Sequence, residues 1–395
     1  MIASCYHKSD MQVVARRIIY WCSLLGLAFA IIEAASAFVF MTYLEDRLSR
    51  HWKVDAQNIL SKAPQGELAE FRDQYFDPTL GWSFGPNTTA FDYATFEKDG
   101  SRRSPWSGLP APVYAYGDSF TFGEDVLADE TWPYFLSQRL GKGVKNFGVA
   151  GYGSDQALLR LRVHLQGGQR PKAVILAVLS ENIARVVNVH RLMYSGNTGV
   201  LNFKPILRKA GEDTIWVPNP LSRLTEKEDV LVALQEGKQN DFWYEHNLVR
   251  PKLGFPYLWS ALDTAHYLHS RILRWEDLWQ MDRPVRTMRA VVREFLNLAE
   301  AHSFLPILVM IPVVQDTIAR DQGKPWSYQK FISELKKDLE NSPVIIVDML
   351  DFEFFRESFY IRPDGGHASP NGNQVIAKAI YERLKDNISL LGPGY

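Results

Sequence analysis

Five short apolar runs constrain the fold of this 395-residue chain more than any other feature. They are Val113–Tyr116, Val144–Phe147, Ala173–Leu179, Pro306–Ile311 and Val344–Val347. Each has the length of a strand, and all but Val144–Phe147, which holds Lys145 and Asn146, lack polar residues, so they read as buried strands of a parallel sheet. Helical patterns fall between them over Trp132–Leu140, Gln156–Leu165, Val285–Ala301 and Gln329–Leu339. Strand and helix in alternation predict a doubly wound α/β fold: a three-layer α/β/α sandwich on a five-stranded parallel sheet of the flavodoxin-like kind. Ligands of such sheets sit beyond the C-terminal ends of the strands, which directs attention to the turns that follow each run.

Composition narrows the chemistry. Hydrophobic residues make up 46% and charged residues 23%, with a formal net charge of −1. That is the profile of a folded protein, and it lacks the basic footprint of a nucleic-acid binder, so no nucleic-acid partner is expected. The two cysteines are Cys5 and Cys22, leaving the rest of the chain without any. A disulfide framework or a cysteine zinc site is thereby excluded from the body. The nine histidines fall in no ligand spacing and no glycine-rich phosphate loop is present, so neither metal nor cofactor is expected.

From Ile18 to Leu44 the chain is almost entirely apolar, and Glu33 is its one charge. About 20 apolar residues suffice to cross a bilayer, so this run is expected to be a transmembrane anchor. Arg16 and Arg17 precede it, which places the N-terminus in the cytoplasm and the rest of the chain outside, in the periplasm or extracellular space. Ala35-Ser36-Ala37 resembles a signal-peptide cleavage site, but the apolar run continues past it, favouring an uncleaved anchor. The expected organisation is a cytoplasmic tail (1–17), the anchor (18–44), a stalk (45–72), the first half of the α/β domain (73–190), an inserted, mostly helical and aromatic-rich cap (191–285), and the second half (286–395).

Polar residues with chemical potential fall where the strands end. The first run leads into Gly117-Asp118-Ser119. A serine at the start of a helix has free N–H groups beside it and a field that suits a developing oxyanion, though Ser and Asp also serve there as plain N-caps. After the last run comes Asp364-Gly365-Gly366-His367 on a Gly- and Pro-rich turn. A histidine so placed can take a serine proton while a carboxylate holds its tautomer. The second run leads to Gly151 and the third to Ser180-Glu181-Asn182. A glycine N–H and an asparagine amide are both competent oxyanion donors. Singly, each of these is an ordinary turn residue.

Together, and in this order, the four segments resemble the four sequence blocks of the SGNH (GDSL-like) hydrolases. The resemblance covers roughly 111–190 and 286–388. It implies Ser119 as nucleophile, His367 as base and Asp364 as the carboxylate that orients it. It also implies an oxyanion hole from Ser119, Gly151 and Asn182. The third block departs from the family's Gly-x-Asn-Asp, reading Ser180-Glu181-Asn182-Ile183.

The expected activity is ester cleavage through an acyl-enzyme, on an acylated small molecule or a glycan O-acetyl group. Membrane-tethered members of such a family act on exported glycans, which the resemblance implies. An O-acyltransferase onto an exported polysaccharide would use the same residues with a sugar hydroxyl as acceptor. A lipid-directed hydrolase and a non-catalytic glycan-binding module of an envelope assembly are the other readings.

Overall fold

The structure, a computed structural model, describes residues 3–44, 65–85, 88–90, 92–195, 201–210, 213–247, 254–271, 273–362 and 365–392. The chain forms two compact units, Met1–Lys53 with His246–Ile272, and Val54–Glu245 with Leu273–Tyr395. Its helices include α1 (Ala3–Val39), α2 (Ser119–Phe122), α3 (Trp132–Leu140), α4 (Ser154–Gln166), α5 (Asn182–Arg185), α6 (Tyr257–His266), α7 (Asp282–His302), α8 (Gln329–Asp338) and α9 (Pro370–Leu384).

The larger unit is built on five parallel strands, β1 (Val113–Tyr116), β2 (Val144–Asn146), β3 (Ala173–Leu179), β4 (Leu305–Ile311) and β5 (Ile345–Asp348). Their spatial order is β5-β4-β3-β1-β2, all parallel. Each predicted strand is present, with ends moved by a single residue at most. The central strand explains why: every residue of β3 is at most 2% exposed, so both of its faces must be apolar. Burying each Val, Leu or Ile of this kind contributes about 1.5–3 kcal/mol.

The strand order fixes the layers. Crossovers between parallel strands are right-handed. The step from β1 to β2 runs opposite to the steps from β2 to β3, β4 and β5, so α3 must cover one face and α4 and α7 the other. Accordingly α3 packs on α9, and α4 on α7. The direction reverses at β1 and β3, and ligands gather at such a switch point. At the β2 edge, Arg102 N–H bonds to the Asn146 carbonyl at 2.8 Å, so the 96–102 turn blunts that edge.

The expected stalk lies largely outside the described residues. Its last part forms the helix Gln65–Gln74, whose Leu68 is buried in the core of the larger unit. The 191–285 stretch holds helices but also an antiparallel hairpin, Ile206–Ala210 with Asp213–Val217. Leu207, Leu234, Phe242, Trp243 and Trp279 join the same core as the sheet. Lys204, just before the hairpin, donates to Asp155 at the start of α4 across 2.5 Å, and both side chains are buried.

The smaller unit contains α1, extended by one wide turn over Phe40–Leu44, and α6, extended similarly over Tyr267–Arg271. Among the described residues, one helical stretch, Val13–Leu44, is long and apolar enough to cross a membrane.

Candidate active site

The turn after β1 is shaped by close contacts. A Cβ on Gly117 would lie 2.1 Å from the Thr121 hydroxyl oxygen, and one on Gly148 would lie 2.2 Å from the Phe122 nitrogen. Only glycine lets the β2 turn approach α2 so closely. Asp118 caps α2 through the Phe120 N–H, which donates to Oδ1 at 3.0 Å. Ser119 is therefore the first residue of the helix, where an N–H has no intrahelical acceptor. The far end of α2 is closed by Arg102. Its Nη1 donates to the carbonyls of Phe122 and Gly123 (2.6 and 2.7 Å), and Nη2 to that of Val126 at 2.8 Å. Burial pushes the Arg102 guanidinium down to about 10.

A second buried arginine ties α2 to the turn after β3. Arg185 donates to Asp118 Oδ2 at 3.3 Å, to the Tyr152 carbonyl at 3.1 Å and to Glu181 Oε1 at 3.0 Å. The Tyr194 hydroxyl donates to the same Glu181 oxygen. Burial disfavours the Glu181 charge, but Arg185 and the Tyr194 hydroxyl outweigh it and hold the carboxyl below its usual range. Asp118 goes the other way: complete burial raises it, against the pull of Arg185 and the Phe120 amide.

His367 lies on the short strand Gly365–Ala368, which pairs with Tyr360–Arg362. The Tyr360 hydroxyl donates to the Pro312 carbonyl at 2.8 Å, linking this hairpin to the turn after β4. The imidazole stands edge-on to Phe120, with centroids 5.3 Å apart. Its Nδ1 donates to Asp125 Oδ2 at 2.7 Å, and its Nε2 is 3.6 Å from Glu124 Oε2. Glu124 is raised by burial, against the pull of His367.

Ser119 and His367 line one cavity of about 320 Å³ at the C-terminal edge of the sheet, with Glu181, Arg185, Trp275 and Gln315 in its wall. The structure thus brings the two ends of the chain's chemistry together. Asp364 lies outside the described residues. Gly151 and Asn182 stand off the cavity wall. Gly151 has φ +80° and its carbonyl accepts from Arg191 at 2.9 Å. Asn182 is fully buried, and its amide donates to Ser154 Oγ at 3.2 Å. At this turn the residue facing the cavity is Glu181.

Asp125, Glu124 and Arg185 escape sequence reasoning. Asp125 is 242 residues from His367, and no period or motif joins them. The one local signal is the positive φ of Asp125, +70°, which appears only once the backbone is placed. Among the described residues, no group of three or more His, Cys, Asp or Glu is arranged to hold a metal ion.

No known family's sequence model matches the chain, and no curated protein does. Solved structures do resemble it. A protein assigned to the G-D-S-L lipolytic family of Desulfitobacterium hafniense is 13% identical, with 69% of this chain and 98% of that one covered and a TM-score of 0.36. A psychrotrophic esterase of Pseudoalteromonas sp. is 12% identical, covering 70% and 98%, with a TM-score of 0.35. An acetyl xylan esterase of Butyrivibrio proteoclasticus is 11% identical, covering 74% and 68%, with a TM-score of 0.29. Likeness of this depth leaves the functional reading to the site itself.

Proposed function

We propose that this chain is a serine-dependent ester hydrolase in which Ser119 is the nucleophile and His367 the base. The observation that carries this is the shared cavity: a helix-initiating serine and an imidazole from the far end of the chain line the same space. Ser119 Oγ attacks the ester carbonyl and passes its proton to His367 Nε2. The Nδ1–H bond to Asp125 fixes the tautomer that leaves Nε2 free to accept. Asp364 is the alternative partner for Nδ1. The Ser119 amide at the start of α2 is the first oxyanion donor. The Gly151 amide and the Asn182 side chain are proposed as the others, with the Asn182 amide leaving Ser154 when substrate binds. The protonated imidazole then donates to the leaving alcohol. Water attacks the acyl-enzyme in the second half.

A glycan O-acetyl group is the proposed substrate. The wall around Ser119 carries Glu181, Arg185, Gln315 and the Trp275 ring, a set suited to hydroxyl-rich ligands and stacked sugar faces. The site is proposed to work outside the cytoplasm, since Arg16 and Arg17 precede the apolar run. The proposed division is an anchor at 18–44 and a hydrolase fold assembled from 73–190 and 286–395.

The test is acetate release from an aryl acetate and from an acetylated polysaccharide, with and without free acceptor sugar. Release without acceptor, absent in Ser119→Ala, supports the hydrolase. Acetyl appearing on the acceptor instead converts the reading to a transferase using the same acyl-enzyme. No turnover of any ester contradicts both.

A further inference from the structure

The smaller unit holds a buried carboxylate that the proposed chemistry does not use. Glu33 lies in the middle of the apolar helix yet is only 7% exposed. Its Oε2 accepts the Tyr257 N–H at 2.6 Å and its Oε1 the Leu258 N–H at 3.2 Å. These are first-turn N–H groups of α6, which have no acceptor within their own helix and lie at its positive end. In hydrocarbon, bare N–H groups and a bare carboxylate are both costly, and here each satisfies the other.

The contact continues along both helices. On α1 the covered positions are Glu33, Ser36, Ala37, Phe40 and Leu44, a single helical stripe with small residues at its middle. Small residues at such a stripe let two helices approach closely within lipid. On α6 the sheltered face carries Ser260, Thr264 and Tyr267, and Tyr267 packs with Phe40. Phe29 meets Phe255, Glu33 meets Tyr257, and Phe40 meets Tyr267, so α6 runs in the same direction as α1. Trp259 and Leu262 are 63% and 56% exposed, and Phe255, beside Phe29, is 66% exposed. Leu25, Phe29 and Ile32 on α1 are similarly bare, so the apolar surface of one helix continues onto the other.

Depth decides what covers that surface. Glu33 is about 16 Å of helix from Leu44 and about 22 Å from Ile18, at 1.5 Å per residue. A hydrocarbon core is about 30 Å thick, so the start of α6 falls inside it. We infer that Phe255–Leu262 is a second membrane-embedded element, a re-entrant helix whose outer face contacts lipid acyl chains and whose buried start is held by Glu33. It begins at the depth of Phe29 and rises toward the Leu44 end of the span. The smaller unit thereby meets the bilayer at two places in the sequence, over 18–44 and again over 255–262. This inference rests on α1 spanning the membrane.

The test uses the full chain in phosphatidylcholine vesicles carrying nitroxide groups on the acyl chains. Cys5 and Cys22 are replaced by serine, and a single fluorophore is placed through Leu25→Cys, Trp259→Cys or Leu109→Cys. Leu109 lies exposed on the larger unit and serves as the aqueous control. The expected result is acyl-chain quenching at 259 matching that at 25, while aqueous iodide quenches only the label at 109. Quenching by lipid at 25 but by iodide at 259 overturns the re-entrant helix and leaves the anchor intact. Iodide quenching at 25 overturns the anchor and this inference with it. Adding Glu33→Leu to the 259-labelled chain is expected to admit iodide to that label. Unchanged lipid quenching there overturns the role given to Glu33.

Discussion

The two sides of the cavity are held very differently. On the Ser119 side, Asp118, Arg102 and Arg185 are all buried, and their hydrogen bonds fix both ends of α2. On the His367 side, the imidazole is 22% exposed and its Asp125 partner 56% exposed. Ser119, the proposed nucleophile, is set by a packed polar network, whereas His367, the proposed base, rides on a short hairpin next to solvent. A buried network loses much when one partner is removed, because the others are left unpaired in low dielectric. An exposed pair loses little stability, so its removal shows in the reaction. The comparison therefore predicts that substitutions in the packed network behind Ser119 affect folding and catalysis together, while those on the histidine side separate the two.

Ser119→Ala is expected to give the largest effect, lowering kcat for an aryl acetate by about 10⁴-fold or more, since a nucleophile and base act as a unit. Ser119 lines the cavity and packs against open space, so the melting temperature is expected to hold. Gly148→Ala tests the packing of the same side. Its Cβ would sit 2.2 Å from the Phe122 nitrogen, and a loss of about 3 kcal/mol is expected in urea unfolding. A wild-type midpoint in that variant would contradict the close approach of the two turns.

Asp125→Asn probes the other side. A buried orienting carboxylate is worth about 10⁴ in kcat, and an exposed one far less, so a fall of about 10- to 100-fold is expected with little change in stability. Steady-state kinetics beside a thermal melt separates the two, and an unchanged kcat would transfer the orienting role to Asp364.

A pH-dependent effect belongs to Asp348, at the end of β5 on the approach to the histidine hairpin. Burial raises its carboxyl to about 6, against the pull of Lys336. Tyr328 donates to Oδ1 at 2.9 Å, while Oδ2 has no hydrogen-bond partner among the described residues. Because the folded value lies above the ordinary 3.8, folding favours the protonated form. Its stabilisation is complete below about pH 4 and is lost as pH rises through about 6, a swing of about 2–3 kcal/mol. Asp348→Asn should flatten the stability profile across that window, as read by urea unfolding at a series of pH values. A profile unchanged from wild type would place the titration elsewhere.

What the sequence discloses and what it hides follow the same division. The strands are legible because residues such as Val174, Ile175 and Leu176 are buried on both faces and admit no polar neighbour. Ser119 and His367 stand out in the sequence through the motifs around them, and the structure places one at the start of α2, the other on the strand Gly365–Ala368, and both on one cavity. The hairpin Ile206–Val217 is not, since its Lys204 and Arg208 read as solvent-facing until Lys204 is seen paired to Asp155. Arg185 and Asp125 are hidden because Asp118 lies 67 residues from the first and His367 lies 242 residues from the second. Glu33 reads from sequence as one tolerated charge in an apolar run, because the N–H groups it binds come from residues 257 and 258.

The most direct measurement of the central claim is reaction with a fluorophosphonate followed by peptide mass spectrometry. The predicted result is one adduct, on the peptide containing Ser119, formed rapidly in wild type and far more slowly in His367→Ala. An adduct on a different residue, or equal labelling of the His367→Ala chain, would show that the serine and the imidazole do not act as a pair.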